Sequence, residues 1–281
     1  MKESFHKINP RNRSDDKITI GRVGHSTVLI NFFGTWILTD PVFSQRIGFK
    51  IAGLTIGPQR LVKPALTICD IPQIDIILIS HIHMDHFDLP TLSYLSKKFG
   101  KTAEIIISKN NTDYLRKSDF KEIKEMDRGE KKFSKGAYIT ALEAKHRGAR
   151  IPFFQSDRSR GHRKNGRSYN GYLIEKNEKK IIFAGDTAYG EFFKQDIYQE
   201  SDVVLMPIGA YKLHEKNHVT PHQALEMVSH SHSKVILPIH HKTFKLSLEP
   251  LDEPIQLLRE KAPEHDIQIG REEIGQVYEL K

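Results

Sequence analysis

The chain has one cysteine, Cys69, in 281 residues. No intrachain disulfide can form, and a cysteine-rich zinc site is excluded. A lone cysteine is more often a small core residue than a nucleophile. No run of eighteen apolar residues occurs, so no transmembrane helix is expected. Met1 to Asp16 are polar and charged and lack the apolar stretch of a secretory signal. These absences fit a reducing compartment, and the expected location is the cytoplasm. There is no Gly-x-Ser-x-Gly elbow and no phosphate-binding P-loop. No low-complexity tract, long linker or exact repeat is present.

What is present is an ordinary folded composition, with 38% hydrophobic and 28% charged residues. A chain of this length can bury a sizeable core without disulfides. The net charge is +8, and its placement is uneven. Between Lys145 and Arg167 lie eight basic residues against Asp157 alone. Such a local surplus points to an anionic partner met at one place, or to a solvated loop. Histidine is abundant, at 15, and clustered.

The apolar pattern predicts strands over 18–23, 27–33 and 35–39, with Gly34 in a tight hairpin. Ile76 to Ile79 reads as a buried strand. Asp88 is the expected N-cap of a helix from Leu89 to about Phe99, with Pro90 in its first turn. Further strands are expected over 104–107, 137–144, 172–174, 180–184, 203–206 and 235–237. Thr220-Pro221-His222-Gln223 carries the signature of a capping box. A last helix is expected from Leu251 to Lys261, ended by Pro263. Ile47 to Ile56 contains one charge, Lys50, and reads either as a buried segment or as an apolar lip. Strands alternating with helices in both halves suit two mixed sheets packed face to face.

The histidines carry the chemistry. Ser80-His81-Ile82-His83-Met84-Asp85-His86 follows directly on the Ile76–Ile79 strand. An extended backbone points His81 and His83 the same way, and Asp85 and His86 follow where the chain turns toward the helix. Imidazole and carboxylate suit zinc, and also iron or manganese. Three distant segments each read as a strand running into a donor: His146, Asp186 in Gly185-Asp186-Thr187, and His240.

These residues resemble those of the metallo-β-lactamase superfamily. Within it the chain is most similar to the branch of N-acylphosphatidylethanolamine-hydrolysing phospholipase D. Besides the His cluster, the resemblance rests on Gly24-His25-Ser26-Thr27, Thr39-Asp40-Pro41-Val42-Phe43-Ser44, Gly57-Pro58-Gln59-Arg60, His218-Val219-Thr220-Pro221 and Thr243-Phe244. It runs from about Ile18 to Pro250. Asp88 stands where many members of the superfamily have Gly, and His241 where an aromatic often follows the last ligand.

The resemblance implies an α/β fold, a four-layer αββα sandwich with helices outside the two sheets. Residues 1–17 would be an N-terminal tail and 18–281 the hydrolase domain. Two zinc ions are implied: His81, His83 and His146 would hold one, Asp85, His86 and His240 the other, and Asp186 would bridge them. Asp40 and His218 would act behind the ligands, and with Asp85 they are the residues assigned to catalysis. A hydroxide held between the metals would attack an anionic phosphoester, as in a phosphodiesterase of phospholipase D type. A lactonase or other C–O ester hydrolase on the same metals is the alternative, and a nuclease the second. Arg158, Arg160, Arg163 and Arg167 are the expected substrate-binding residues, because guanidinium pairs bidentately with phosphate. The partner would be a small anionic or lipid phosphoester, with peripheral membrane contact allowed. No nucleic acid is expected, since Phe153, Phe154 and Tyr169 are the only aromatics interleaved with the basic stretch.

Overall fold

The computed structural model describes residues 1–12, 14–151 and 166–280. They fall into two compact units: Met1–Asp127 with Arg147–Tyr169 and Glu273–Lys281, and Arg128–His146 with Asn170–Glu272.

The first unit contains β1 (Ile18–Gly24), β2 (Thr27–Phe32), β3 (Thr35–Thr39), β4 (Phe49–Ile51), β5 (Leu54–Ile56), β6 (Ile76–Ile79), β7 (Glu104–Ser108), β8 (Glu122–Met126) and the helix α1 (Leu89–Phe99). The second contains β9 (Lys131–Ser134), β10 (Ala137–Leu142), β11 (Gly171–Lys176), β12 (Lys179–Phe183), β13 (Val203–Pro207), β14 (Val235–Ile239) and β15 (Gln268–Ile269), with α2 (Pro221–His230) and α3 (Glu253–Lys261). The last strand, β16 (Val277–Leu280), returns to the first unit.

The first sheet has seven strands in the order β16-β1-β2-β3-β6-β7-β8. Phe33 and Gly34, both at positive φ, make the tight turn between β2 and β3, as the glycine predicted. From β3 to β8 the pairing is parallel. A parallel strand covered on both faces needs a continuous apolar run, and Ile76-Ile77-Leu78-Ile79 is that run, wholly buried. Ile77, Ile79, Ile105 and Ile107 share a core with Leu92, Leu95 and Phe99 of α1. Each such side chain contributes about 1.5–3 kcal/mol on burial.

Asp88 precedes α1 as expected, but its carboxylate makes no cap to the helix N–H groups. It accepts instead from Ser44 N and the Thr91 hydroxyl, tying the β3–β4 connection to the helix start. Ile8 is buried in this core and Lys2 pairs with Val62, so both belong to the packed unit. Cys69, expected in the core, is exposed beside the Tyr94 hydroxyl.

Beyond Ile47, which is buried, the 47–56 segment is open. Its centre is the antiparallel hairpin β4–β5, turning at Ala52-Gly53. Phe49 pairs with Ile56 and Ile51 with Leu54, so the four share one face of the ribbon. That face is open: Phe49 is 51% exposed, Ile51 58%, Leu54 73% and Ile56 58%. The ribbon's neck needs two glycines, because a Cβ on Gly48 would lie 1.9 Å from Ile56 O and one on Gly57 2.1 Å from Ile47 O.

The second sheet runs β15-β14-β13-β12-β11-β10-β9. Its pairings make β10, β12, β13 and β14 point the same way, so their C-terminal ends share one edge. Leu173, Ile182, Val204, Met206 and Ile236 pack with Leu225, Val228 and Leu258 of α2 and α3. The capping box at Thr220 forms: Gln223 N donates to Thr220 Oγ1 and Thr220 N to Gln223 Oε1. The helix α3 starts at Glu253, two residues after the expected Leu251. The chain continues through Pro263 in a 3-10 turn, Ala262–His265.

Candidate metal centre

Each unit carries one donor cluster, at the mouths of its strands. In the first unit the donors leave the end of β6, where the chain turns before α1. Ser80 N and Ser80 Oγ both donate to Asp40, at 2.7 and 2.6 Å. Since its proton goes to Asp40, Ser80 Oγ accepts from His81 Nδ1, 2.9 Å away. That leaves the His81 Nε2 lone pair toward His83, whose Nδ1 is 2.9 Å distant. His86 is held the same way, its Nδ1 donating to Asp40 Oδ2 at 2.6 Å. Its Nε2 lies 3.5 Å from Asp85 Oδ2, which also meets His25 Nε2 at 3.1 Å. Asp40, His81 and His86 offer ligand atoms all within 4.8 Å of one another. Burial pushes the Asp40 carboxyl above its ordinary range, against the opposing pull of His86 and Ser80.

In the second unit Asp186 follows β12, His240 follows β14 and His146 follows β10. His218 sits on the connection between β13 and α2. His146 Nδ1 donates to Asn217 O at 2.9 Å, which turns its Nε2 toward Asp186 Oδ2, 3.8 Å away. The same oxygen lies 3.2 Å from His240 Nε2 and 3.8 Å from His218 Nδ1. One carboxylate oxygen thus faces three imidazoles. His146, Asp186 and His218 form a second group within 4.8 Å.

The donor chemistry fits a metal. His81, His86 and His146 each spend one ring nitrogen on a hydroxyl, a carboxylate or a carbonyl, and aim the other into the cluster. That is how metal-binding imidazoles are fixed in tautomer and orientation. Three of the residues bear backbone strain: His25, Asp40 and His240 have φ of 54°, 31° and 62°. Non-glycine residues occupy that region rarely, and mostly at functional sites.

The family model for the beta-lactamase superfamily domain matches residues 35–241. The chain belongs to this superfamily. The superfamily and the two donor clusters point to divalent ions. A mitochondrial N-acyl-phosphatidylethanolamine-hydrolyzing phospholipase D of Saccharomyces cerevisiae is 30% identical over 84% of this chain and 50% of its own length. An uncharacterized protein of Mycobacterium tuberculosis is 29% identical over 89% of this chain and 65% of its own. The chain thus spans between half and two thirds of the length of these relatives. Among solved structures Igni18, a metallo hydrolase of Ignicoccus hospitalis, superposes with a TM-score of 0.67 at 19% identity, covering 94% of this chain and 99% of that one. This likeness is one of α/β fold.

Of the residues the superfamily pattern marks, the first unit brings together His81, His83, Asp85 and His86, with Asp40 behind them. The second brings together His146, Asp186, His218 and His240. Arg158, Arg160 and Arg163 lie outside the described residues. Arg167 is described, and its guanidinium pairs with both Asp113 carboxylate oxygens, reaches Asn110 O and lies over the Tyr114 ring.

Sequence reasoning left several residues without a role. His25 and Ser80 stood in quoted motifs, and the structure sets them against Asp85 Oδ2 and His81 Nδ1. Asn217 acts through its carbonyl, which no side-chain pattern reveals. Arg150 was counted with the basic stretch. It is partly buried and donates through Nη1 to Ile82 O at 2.9 Å and Phe87 O at 2.7 Å. Burial lowers its pKa, while Tyr114, Asp88 and Asp85 favour its charge.

A cavity of about 440 Å³ opens in the first unit beside the His cluster. Ile47, Phe49, Met84, Leu89, Tyr114 and Ile151 form its apolar wall. Arg46, Lys50 and Arg150 supply cationic groups against one carboxylate, Asp88. Its volume falls in the usual range of small-ligand sites.

Proposed function

We propose that the chain is a phosphodiesterase of phospholipase D type, acting on an anionic phosphoester that carries an apolar part. The observation that supports this reading is the cavity. Its wall is apolar, its charged groups are mainly cationic, and Met84 places it within the run His83-Met84-Asp85. An apolar pocket with a few convergent polar groups is the default form of a ligand site. Phe49, Lys50 and Thr55 of the β4–β5 ribbon line the same cavity, and the ribbon's open apolar face suits contact with a lipid surface. The similarity to a phospholipase of this specificity supports the same substrate class.

In this reading His81, His83, Asp85, His86, His146, Asp186 and His240 hold two divalent ions, zinc by preference. When bound, such ions supply Lewis acidity toward a phosphoryl oxygen and lower the pKa of water. The chain's own residues do the rest. Asp40 holds a proton on His86 Nδ1 and keeps that ring's other nitrogen available. Asn217 does the same for His146. His218, the most exposed imidazole of its cluster, is the group to move a proton at the leaving oxygen. Lys50 faces the anionic part of the substrate, beside Arg46, whose guanidinium also donates to Gly57 O and Gln59 Oε1. Arg167 is engaged by Asp113.

The test is a hydrolysis screen on zinc-loaded protein with bis(p-nitrophenyl) phosphate, phospholipid vesicles and lactones. Turnover of the phosphodiesters, with Lys50→Gln raising KM for anionic more than for neutral esters, is the expected result. Turnover of lactones alone would replace this reading with the C–O ester hydrolase. A steeply salt-dependent binding of RNA, with cleavage, would replace it with a nuclease.

A further inference from the structure

The segment that bears the first-unit donors, Ser80 to Asp88, has neither helix nor strand to fix it. Part of its shape comes from within: His86 N and Phe87 N both donate to His83 O, at 3.1 and 2.8 Å. That turn orders His83 to Phe87 among themselves but leaves the segment's two flanks to be held from outside. Ile82 and Phe87 are completely buried. Their carbonyls need donors there, because a buried backbone oxygen without a partner is costly.

Both carbonyls receive the same donor, Arg150 Nη1, from a residue more than sixty positions away. The two contacts bracket His83, Asp85 and His86. The guanidinium is itself fixed, lying 5.8 Å from the ring centres of both Phe87 and Tyr114, within the range of cation–π attraction. Asp85 and Asp88 balance its charge. A planar, permanently charged fork suits this place, and the compact ammonium of lysine does not.

We propose that Arg150 is a positioning residue for the metal-binding segment, a clamp that sets where His83, Asp85 and His86 present their donor atoms. The proposal rests on the metal reading of the site but not on any substrate. The clamp is also part of the cavity wall, so the residue that shapes the ligand run borders the space a substrate would enter.

Two variants separate the roles of the side chain. Arg150→Met keeps the stem packed on Phe87 and Tyr114 and removes the donors. Arg150→Lys keeps the charge and one donor centre but loses the plane. The probe is Co(II), read by competition with a chelator and by its visible d–d bands, which report ligand geometry. Groups that orient metal ligands typically matter 10- to 100-fold in affinity. Arg150→Met should therefore bind Co(II) about 10- to 100-fold more weakly with a changed spectrum, and Arg150→Lys should fall between it and the wild type. A purely structural role would lower the urea midpoint of the metal-free protein and leave the spectrum unchanged. Wild-type affinity and spectrum in folded Arg150→Met would overturn the proposal. If Arg150→Met does not fold, Arg150→Lys and Tyr114→Leu, which loosens the guanidinium's seat, carry the test, and unchanged spectra in both would overturn it equally. A wild type that takes up no Co(II) ends the metal reading itself, a different failure from a wild type that binds and variants that match it.

Discussion

Asp40→Asn should weaken metal binding far more than it weakens the fold. The Asp40 carboxylate is completely buried and accepts three hydrogen bonds, from Ser80 N, Ser80 Oγ and His86 Nδ1. Two of them converge on one oxygen, Oδ2. Asparagine has nearly the same shape but one acceptor oxygen. With its amide nitrogen at the Oδ2 position, N–H groups would face the Ser80 hydroxyl and His86 Nδ1. With the nitrogen at Oδ1, it would face Ser80 N. At least one charge-assisted bond is lost either way, and such bonds contribute about 1.5–3 kcal/mol. Part of that loss is offset, because a neutral amide is cheaper to bury than a carboxylate. For the metal there is no offset. His86 loses the anion that fixes its tautomer, and an effect of about 10- to 100-fold in affinity is expected, or about 1.4–2.7 kcal/mol. The assay is a zinc titration of metal-free protein against a chromophoric chelator, paired with urea unfolding of the same preparation. Ser80→Ala provides a graded control, since it removes the hydroxyl but leaves Asp40 on His86. Zinc affinity of Asp40→Asn within twofold of wild type would refute the role assigned to Asp40.

The capping box gives a second expectation: Thr220→Ala should cost about 0.5–2 kcal/mol in urea unfolding, with Gln223→Ala adding a further loss because residue 220 N still donates to Gln223 Oε1 without the threonine side chain. For the Asp113–Arg167 pair, the guanidinium holds the carboxyl below its ordinary range, so its contribution is full above the ordinary carboxylate pKa and disappears as pH falls through the lowered value. Arg167→Gln should therefore lose no more than about 1 kcal/mol near neutrality, Asp113 being partly exposed, and the gap to wild type should close on acidification; a gap that widens in acid would contradict the sign. On the open hairpin face, Phe49→Ser with Leu54→Ser should leave the unfolding midpoint nearly unchanged while lowering partition onto phosphatidylglycerol vesicles by more than tenfold, because each apolar side chain leaving water contributes about 1.5–3 kcal/mol. Wild-type protein that ignores such vesicles would remove the lipid-surface role.

The parts of the fold that could be read from the sequence are those whose cause is local. The Ile76–Ile79 run is apolar at every position because a buried parallel strand has no polar face, and it was found at its observed bounds. The Thr220 cap was found because its four residues make both bonds of the motif themselves. Asp88 shows the limit. It has the right residue type at the right place for a cap, yet Ser44 N competes for it from 44 positions away. The β4–β5 ribbon was ambiguous for a related reason. Ile47 to Ile56 is apolar in composition, and composition does not say whether Phe49 and Ile51 face protein or solvent. The register with Ile56 and Leu54 settles it, and register is a pairing between strands.

The site divides along the same line. Donor atoms are side-chain chemistry, so the His81–His86 run and the separate His146, Asp186 and His240 were visible as residue types at strand ends. What holds the donors is not visible in that way. Two of the holding groups are backbone carbonyls or act on them: Asn217 O fixes His146, and Arg150 reaches Ile82 O and Phe87 O. A carbonyl is present at every position, so no letter of the sequence marks the one that matters. Arg150 was further hidden by its neighbours. Within a stretch of eight basic residues an arginine reads as part of a charged surface, and only its contacts show which are not. Charge counted along the chain therefore does not separate a cation that lines the cavity from one bonded to backbone carbonyls. The same stretch holds one arginine tied to the Ser80–Asp88 segment and another, Arg167, tied to Asp113. Measuring zinc affinity and KM on the same Arg150 and Lys50 variants keeps the two contributions apart. The first should follow the clamp and the second the cations that line the cavity.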